Sequence, residues 1–93
     1  MDCLLPESLD ISTVLDTTTQ YKNWLTQANE LHIDASEVVR VDAAGIQALT
    51  ALFLTAKRNQ IEVQLINPPN PLLEGISTLG LKEQFEKSNS VGE

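Results

Sequence analysis

Few side chains in this sequence could take part in a reaction, and their spacing decides against most of them. His32 is the only histidine. Asp34, two residues on and on the same face of an extended strand, is the partner that spacing offers it for acid–base work or metal binding. Such a pair is expected to be a half-exposed strand feature. Cys3 is the only cysteine, and with no basic neighbour in sequence to hold a thiolate it reads as a small strand residue. Asp34, Glu37 and Asp42 could be imagined around a hard cation, but their spacing matches no calcium loop, and capping roles suit Asp34 and Asp42 better. Thr17, Thr18 and Thr19 offer hydroxyls on a helix, where a solvated face is the expectation. No Ser, His and Asp arrangement, no glycine-rich phosphate loop and no paired cysteines can be assembled. Neither catalysis nor a cofactor or metal is expected.

The informative stretch is Val38 to Leu49, where a β-branched run ends in Asp42, the small residues Ala43 and Ala44 and then Gly45 follow, and a helix begins with Ile46 and Gln47. Asp42 is placed to accept from the free N–H groups of that helix. Gly45 and the two alanines keep the turn free of bulk, so another backbone or an anion could approach the helix N-terminus.

The elements that must position this turn follow from hydrophobic period. Residues 3–11 read as two short strands broken at Pro6. From Thr13 to Gln27, Val14, Thr18, Tyr21, Leu25 and Ala28 recur at helical spacing, with Leu15 and Trp24 widening the stripe and Thr13 with Asp16 as an N-cap pair. Tyr21 and Trp24 are expected to be core or rim packing. Strands are expected at 31–34, 38–41 and 61–66. The helix between the last two is apolar on more than half its circumference, with Ala48, Ala51, Leu52 and Leu54 as flanks, and ends at Lys57, Arg58 and Asn59. Pro71 suits the first turn of a short helix through about Thr78, stopped by Gly80. Residues 81–87 add another turn or two carrying Leu81 and Phe85, and 88–93 are a tail expected to fray. A helix between two strands implies parallel neighbours. The expected class is α/β: one domain over 1–87, a small mixed sheet packed with helices in the order β-β-α-β-α-β-α.

Ninety-three residues with 42% hydrophobic content fit one modest core. A lone cysteine allows no internal disulfide, which suits a reducing compartment and makes the cytoplasm the expected location. There is neither an apolar run of membrane-spanning length nor a positively charged N-terminus. Thirteen acidic against six basic residues give a net charge of −7, which repels nucleic-acid backbones and anionic lipid and suits a partner with a basic patch.

In the Asp42-Ala43-Ala44-Gly45 turn, the strand leading to Ser36, the helix ending Ala56-Lys57-Arg58, the strand before Asn67-Pro68 and the spacing to Gly80-Leu81, the chain resembles the STAS family. This is the sulfate-transporter and anti-sigma-factor-antagonist domain. Its opening Leu5-Pro6-Glu7-Ser8-Leu9-Asp10-Ile11 also looks like the short STAS proteins found with bacterial chemotaxis kinases and response regulators. The resemblance implies a STAS-like fold and a regulatory signal-transduction role, with binding to a kinase-fold anti-sigma factor or a chemotaxis kinase through Asp42, Ala43, Ala44, Gly45, Ile46 and Gln47. The residue after the aspartate is usually a phosphorylated serine or threonine in that family; here it is Ala43, so phospho-control at the usual position is not expected. Ser36 is where related domains sometimes carry a second modifiable hydroxyl. STAS proteins also serve as accessory subunits of ABC-type lipid transporters, seated on the ATPase, and a small-ligand or nucleotide sensor is a further reading.

Overall fold

A computed structural model describes residues 1–85. Five strands and three helices follow in order: β1 (Asp2–Leu4), β2 (Ser8–Leu9), α1 (Val14–Gln27), β3 (Glu30–Asp34), β4 (Arg40–Val41), α2 (Ala43–Arg58), β5 (Glu62–Ile66) and α3 (Asn70–Thr78), closed by a 3₁₀ turn at Lys82–Phe85. The expected tail at 88–93, and residues 86 and 87 of the expected domain, lie outside the described residues.

The small α/β architecture is the one the sequence implies. Every pairing among the described residues is parallel: β1-β3-β5 form one sheet and β2-β4 a second, smaller one. Each central connection runs through a helix, α1 between β1 and β3 and α2 between β3 and β5, as parallel neighbours require. Alternation along β3 sorts the side chains: Leu31 and Ile33 are fully buried, while His32 and Asp34 face outward. Leu49, Phe53 and Ala56 of α2, with Leu72 of α3, complete a core without solvent exposure.

Several local expectations are corrected. β4 is confined to Arg40–Val41, because Val38 donates to Ala35 in a turn and the N–H groups of both Val39 and Arg40 converge on the Glu7 carbonyl. Ile11 lies beyond β2 and is exposed. Leu15 points to solvent at 82% exposure rather than widening the α1 stripe; the face that α1 buries is narrow, with Thr17 and Tyr21 at its centre. The Thr13 hydroxyl makes no cap bond, being engaged with Ser8 and Asp10. On α2, Leu52 is buried, but Ala51 and Leu54 face outward.

The stops of α2 and α3 are each closed by paired bonds from the residues that follow. After α3, Gly80 (φ 71°) donates to Ser77 and Leu81 to Ile76. After α2, Asn59 is the C-cap as expected, while the left-handed position falls on Gln60 (φ 62°), with Gln60 donating to Lys57 and Ile61 to Ala56. Both follow the pattern in which the residue past the cap adopts the left-handed conformation to satisfy the last carbonyls. Tyr21 and Trp24 pack together with ring centroids 5.4 Å apart, and Phe85 of the 3₁₀ turn lies 4.6 Å from Phe53.

Candidate functional site

The turn singled out by the sequence is a joint between two helices and the small sheet. Asp42 is the N-cap of α2: its Oδ1 accepts from the Gly45 N–H at 3.0 Å. Its Oδ2 accepts from the Ile11 N–H, also at 3.0 Å, and its own N–H donates to the Leu9 carbonyl at 3.0 Å. The carboxylate therefore ties the end of β2 to the start of α2. Its acceptance of the Gly45 and then the Ile11 N–H holds its pKa below the ordinary carboxylate value.

Gly45 is required by the backbone that crosses it. A Cβ there would lie 1.9 Å from the Leu9 carbonyl oxygen and 2.8 Å from the Asp10 nitrogen. The room that the small residues leave is therefore taken by the protein's own β2 end. α2 starts at Ala43, ahead of the Ile46 start that the helical period suggests, and Gly45 lies inside its first turn.

This geometry sorts the six candidate residues. Gly45 and Ile46 are buried, Ile46 at 2% exposure beneath α3, where a Cβ on Gly75 would meet its Cδ1 at 2.4 Å. Asp42 and Ala44 are half-buried, and Ala43 and Gln47 are exposed. The outward surface is therefore the edge from Asp42 through Ala43 and Ala44 to Gln47, one helical turn on. Ile11 belongs beside it through its bond to Asp42. The sequence signal for Ile11 was an apolar residue just past a strand end, which period alone assigns to the strand.

The remaining candidates lie elsewhere. Ser36 is exposed in the turn after β3, its N–H accepted by Asp34 Oδ1 at 2.9 Å, and that bond lowers the Asp34 pKa. Glu37 is exposed beside it. Asp34 and Asp42 each serve a turn or helix start, and no three His, Cys, Asp or Glu side chains among the described residues stand together as a cation site. His32 does not pair with Asp34. Its Nδ1 faces Asp2 Oδ1 at 3.1 Å and its Nε2 faces Glu30 Oε2 at 2.9 Å, and Glu30 first, then Asp2, raises its pKa. Asp2 is its register partner on β1, and Glu30 sits two residues back on the same face. Cys3 is buried, and that burial pushes its thiol pKa up, away from reactivity. No helix among the described residues is long and apolar enough to cross a membrane.

A family model described as "Mlab, STAS domain" matches residues 5–87. No curated protein matches the chain.

Proposed function

Because this chain belongs to the STAS family, we propose that it is a regulatory binding module that docks a signalling kinase or anti-sigma factor through the exposed edge Asp42–Gln47 and the adjoining side of α2. The observation that carries this reading is the Asp42 joint. Bonds to Gly45, Ile11 and Leu9 hold Ala43 and Gln47 outward on a braced helix start, and a preorganised edge loses little entropy when a partner orders against it.

Ala43 favours a second reading, an accessory subunit seated on the ATPase of an ABC-type lipid transporter. Ala43 and Ala44 offer no oxygen to a kinase, which suits a complex held without phosphate switching. Ser36 and the threonines remain as acceptors by another route. The sensor reading has weaker support, since the Asp42 carboxylate already occupies the α2 N-terminus and would repel a second anion.

Co-purification of the full chain from native lysate, with bound proteins identified, decides between kinase and ATPase. The identified partner is then titrated calorimetrically against wild type, Ala43→Ser and Ala43→Glu. A carboxylate in the first turn of α2 is favourable to the helix, so Ala43→Glu should fold; binding should fall because an unpaired charge enters the contact. Ala43→Ser should bind nearly as wild type. Wild-type affinity for folded Ala43→Glu would show that this edge is not the interface.

A further inference from the structure

Ile11 and Leu15 are the most exposed large apolar side chains among the described residues, at 69% and 82%. Single apolar side chains on a surface need no explanation. Ile11 lies in the turn that leads into α1 and Leu15 in its first turn, four residues apart in sequence, and the Ile11 N–H is bonded to Asp42. The patch therefore adjoins the edge that carries Ala43 and Gln47.

Carboxylates flank it. Asp10 and Asp42 are held by N–H groups, Asp10 by Ser12 and Asp42 by Gly45 and Ile11. Asp16 is exposed one residue beyond Leu15. Among the described residues the ion pairs found are those of His32, so none of the three is neutralised by a basic side chain. Arg40, on β4, is the cation nearest to Asp42 in sequence.

We infer that Ile11 and Leu15 form the apolar centre of the docking surface, and that its occupant is a protein patch with an apolar pocket edged by Lys or Arg. This rests on the docking role of the Asp42–Gln47 edge. An apolar centre with a charged rim is the ordinary anatomy of a specific interface. A second copy of this chain fits poorly, because a two-fold contact would set Asp10, Asp16 and Asp42 against themselves in a protein of net charge −7. An anionic lipid surface is repelled for the same reason.

The test places a photo-crosslinking amino acid at Ile11, Leu15 or Gln47, with Glu62 on the sheet as control, in the full chain expressed in its native cells. Cross-linked peptides are identified by mass spectrometry. The captured protein is then purified and titrated against wild type, Ile11→Ser, Leu15→Ser and Ala43→Glu at low and high salt. We expect Ile11 and Leu15 to capture the protein that Gln47 captures, through a peptide carrying Lys or Arg beside apolar residues. Each serine variant should weaken binding by about tenfold or more, and salt should weaken the wild-type complex. Capture from Gln47 alone, or wild-type affinity in both serine variants, overturns the apolar centre and leaves the edge reading standing. Capture from Ile11 and Leu15 with unchanged affinity for Ala43→Glu removes the edge reading and keeps the patch. Capture of a second copy or of lipid overturns the basic partner, and capture from no position overturns both inferences.

Discussion

Gly45 of α2 and Leu9 of β2 meet backbone to backbone: a Cβ on Gly45 would lie 1.9 Å from the Leu9 carbonyl oxygen. Helix propensity alone makes Gly45→Ala a stabilising change of about 1 kcal/mol. The contact reverses the sign. Overpacking costs about 1–3 kcal/mol where side chains can yield, and here the obstacle is main chain, so Gly45→Ala should reach the top of that range or not fold. Urea denaturation measures it, and an unchanged or raised midpoint would show that β2 and α2 can separate freely.

Asp42 serves two N–H groups on two different oxygens. Asp42→Ala should lower Tm by about 4–8 °C, the size of a lost cap in a domain this small. Asp42→Asn should fall between wild type and Ala, because its amide group can present an oxygen to Gly45 or to Ile11 but turns a donor toward the other. The folded-state pKa is depressed, so the stabilisation is present above the ordinary value of 3.8 and is lost as pH falls through the lowered one. Thermal melts from pH 7 to pH 2 should therefore show the wild-type and Ala curves converging at the acid end. A constant gap would place the effect outside the carboxylate.

His32 behaves in the opposite sense. Its folded pKa is raised by Glu30 and Asp2, so its contribution is full below the unfolded value of about 6.5 and disappears as pH rises through the folded value. His32→Gln should be less stable than wild type near pH 5 and indistinguishable from it near pH 9. An NMR titration of the imidazole should give a midpoint above 6.5 in wild type and a lower one in Asp2→Asn and Glu30→Gln. An unshifted midpoint would remove the side-chain interaction of His32 with Asp2 and Glu30 and leave only the backbone pairing of β1 with β3.

Gln60 occupies the left-handed position after α2, with φ 62°. A side chain there costs about 1–2 kcal/mol of local strain, partly offset by the greater chain entropy glycine loses on folding. Gln60→Gly should therefore stabilise by about 0.5–1 kcal/mol, whereas the same change at the exposed, mid-helix Gln20 of α1 should destabilise by a similar amount. Denaturation midpoints moving in the same direction would contradict the assignment.

Local chemistry was enough for the type and order of the elements and for the identity of the turn, though not for the bounds of β4, which bonds to Glu7 set. The alternation of Leu31 and Ile33 with His32 and Asp34, the Asp42 cap, Pro71 near a helix start and Gly80 at a helix stop all depend on neighbours within a few residues. The sequence carries those neighbours directly. The partners across the fold are another matter. That Leu9 presses on Gly45, that Ile11 completes the shell of Asp42 from 31 residues away, and that His32 faces Asp2 from 30 residues away are set by the parallel register of β1 with β3 and of β2 with β4. Period fixes which face a residue takes, not which strand arrives opposite it. Leu15 shows the same limit: its spacing fits a stripe, but the width of the face α1 can bury depends on what α2 presents to it, and there packing left Leu15 outside.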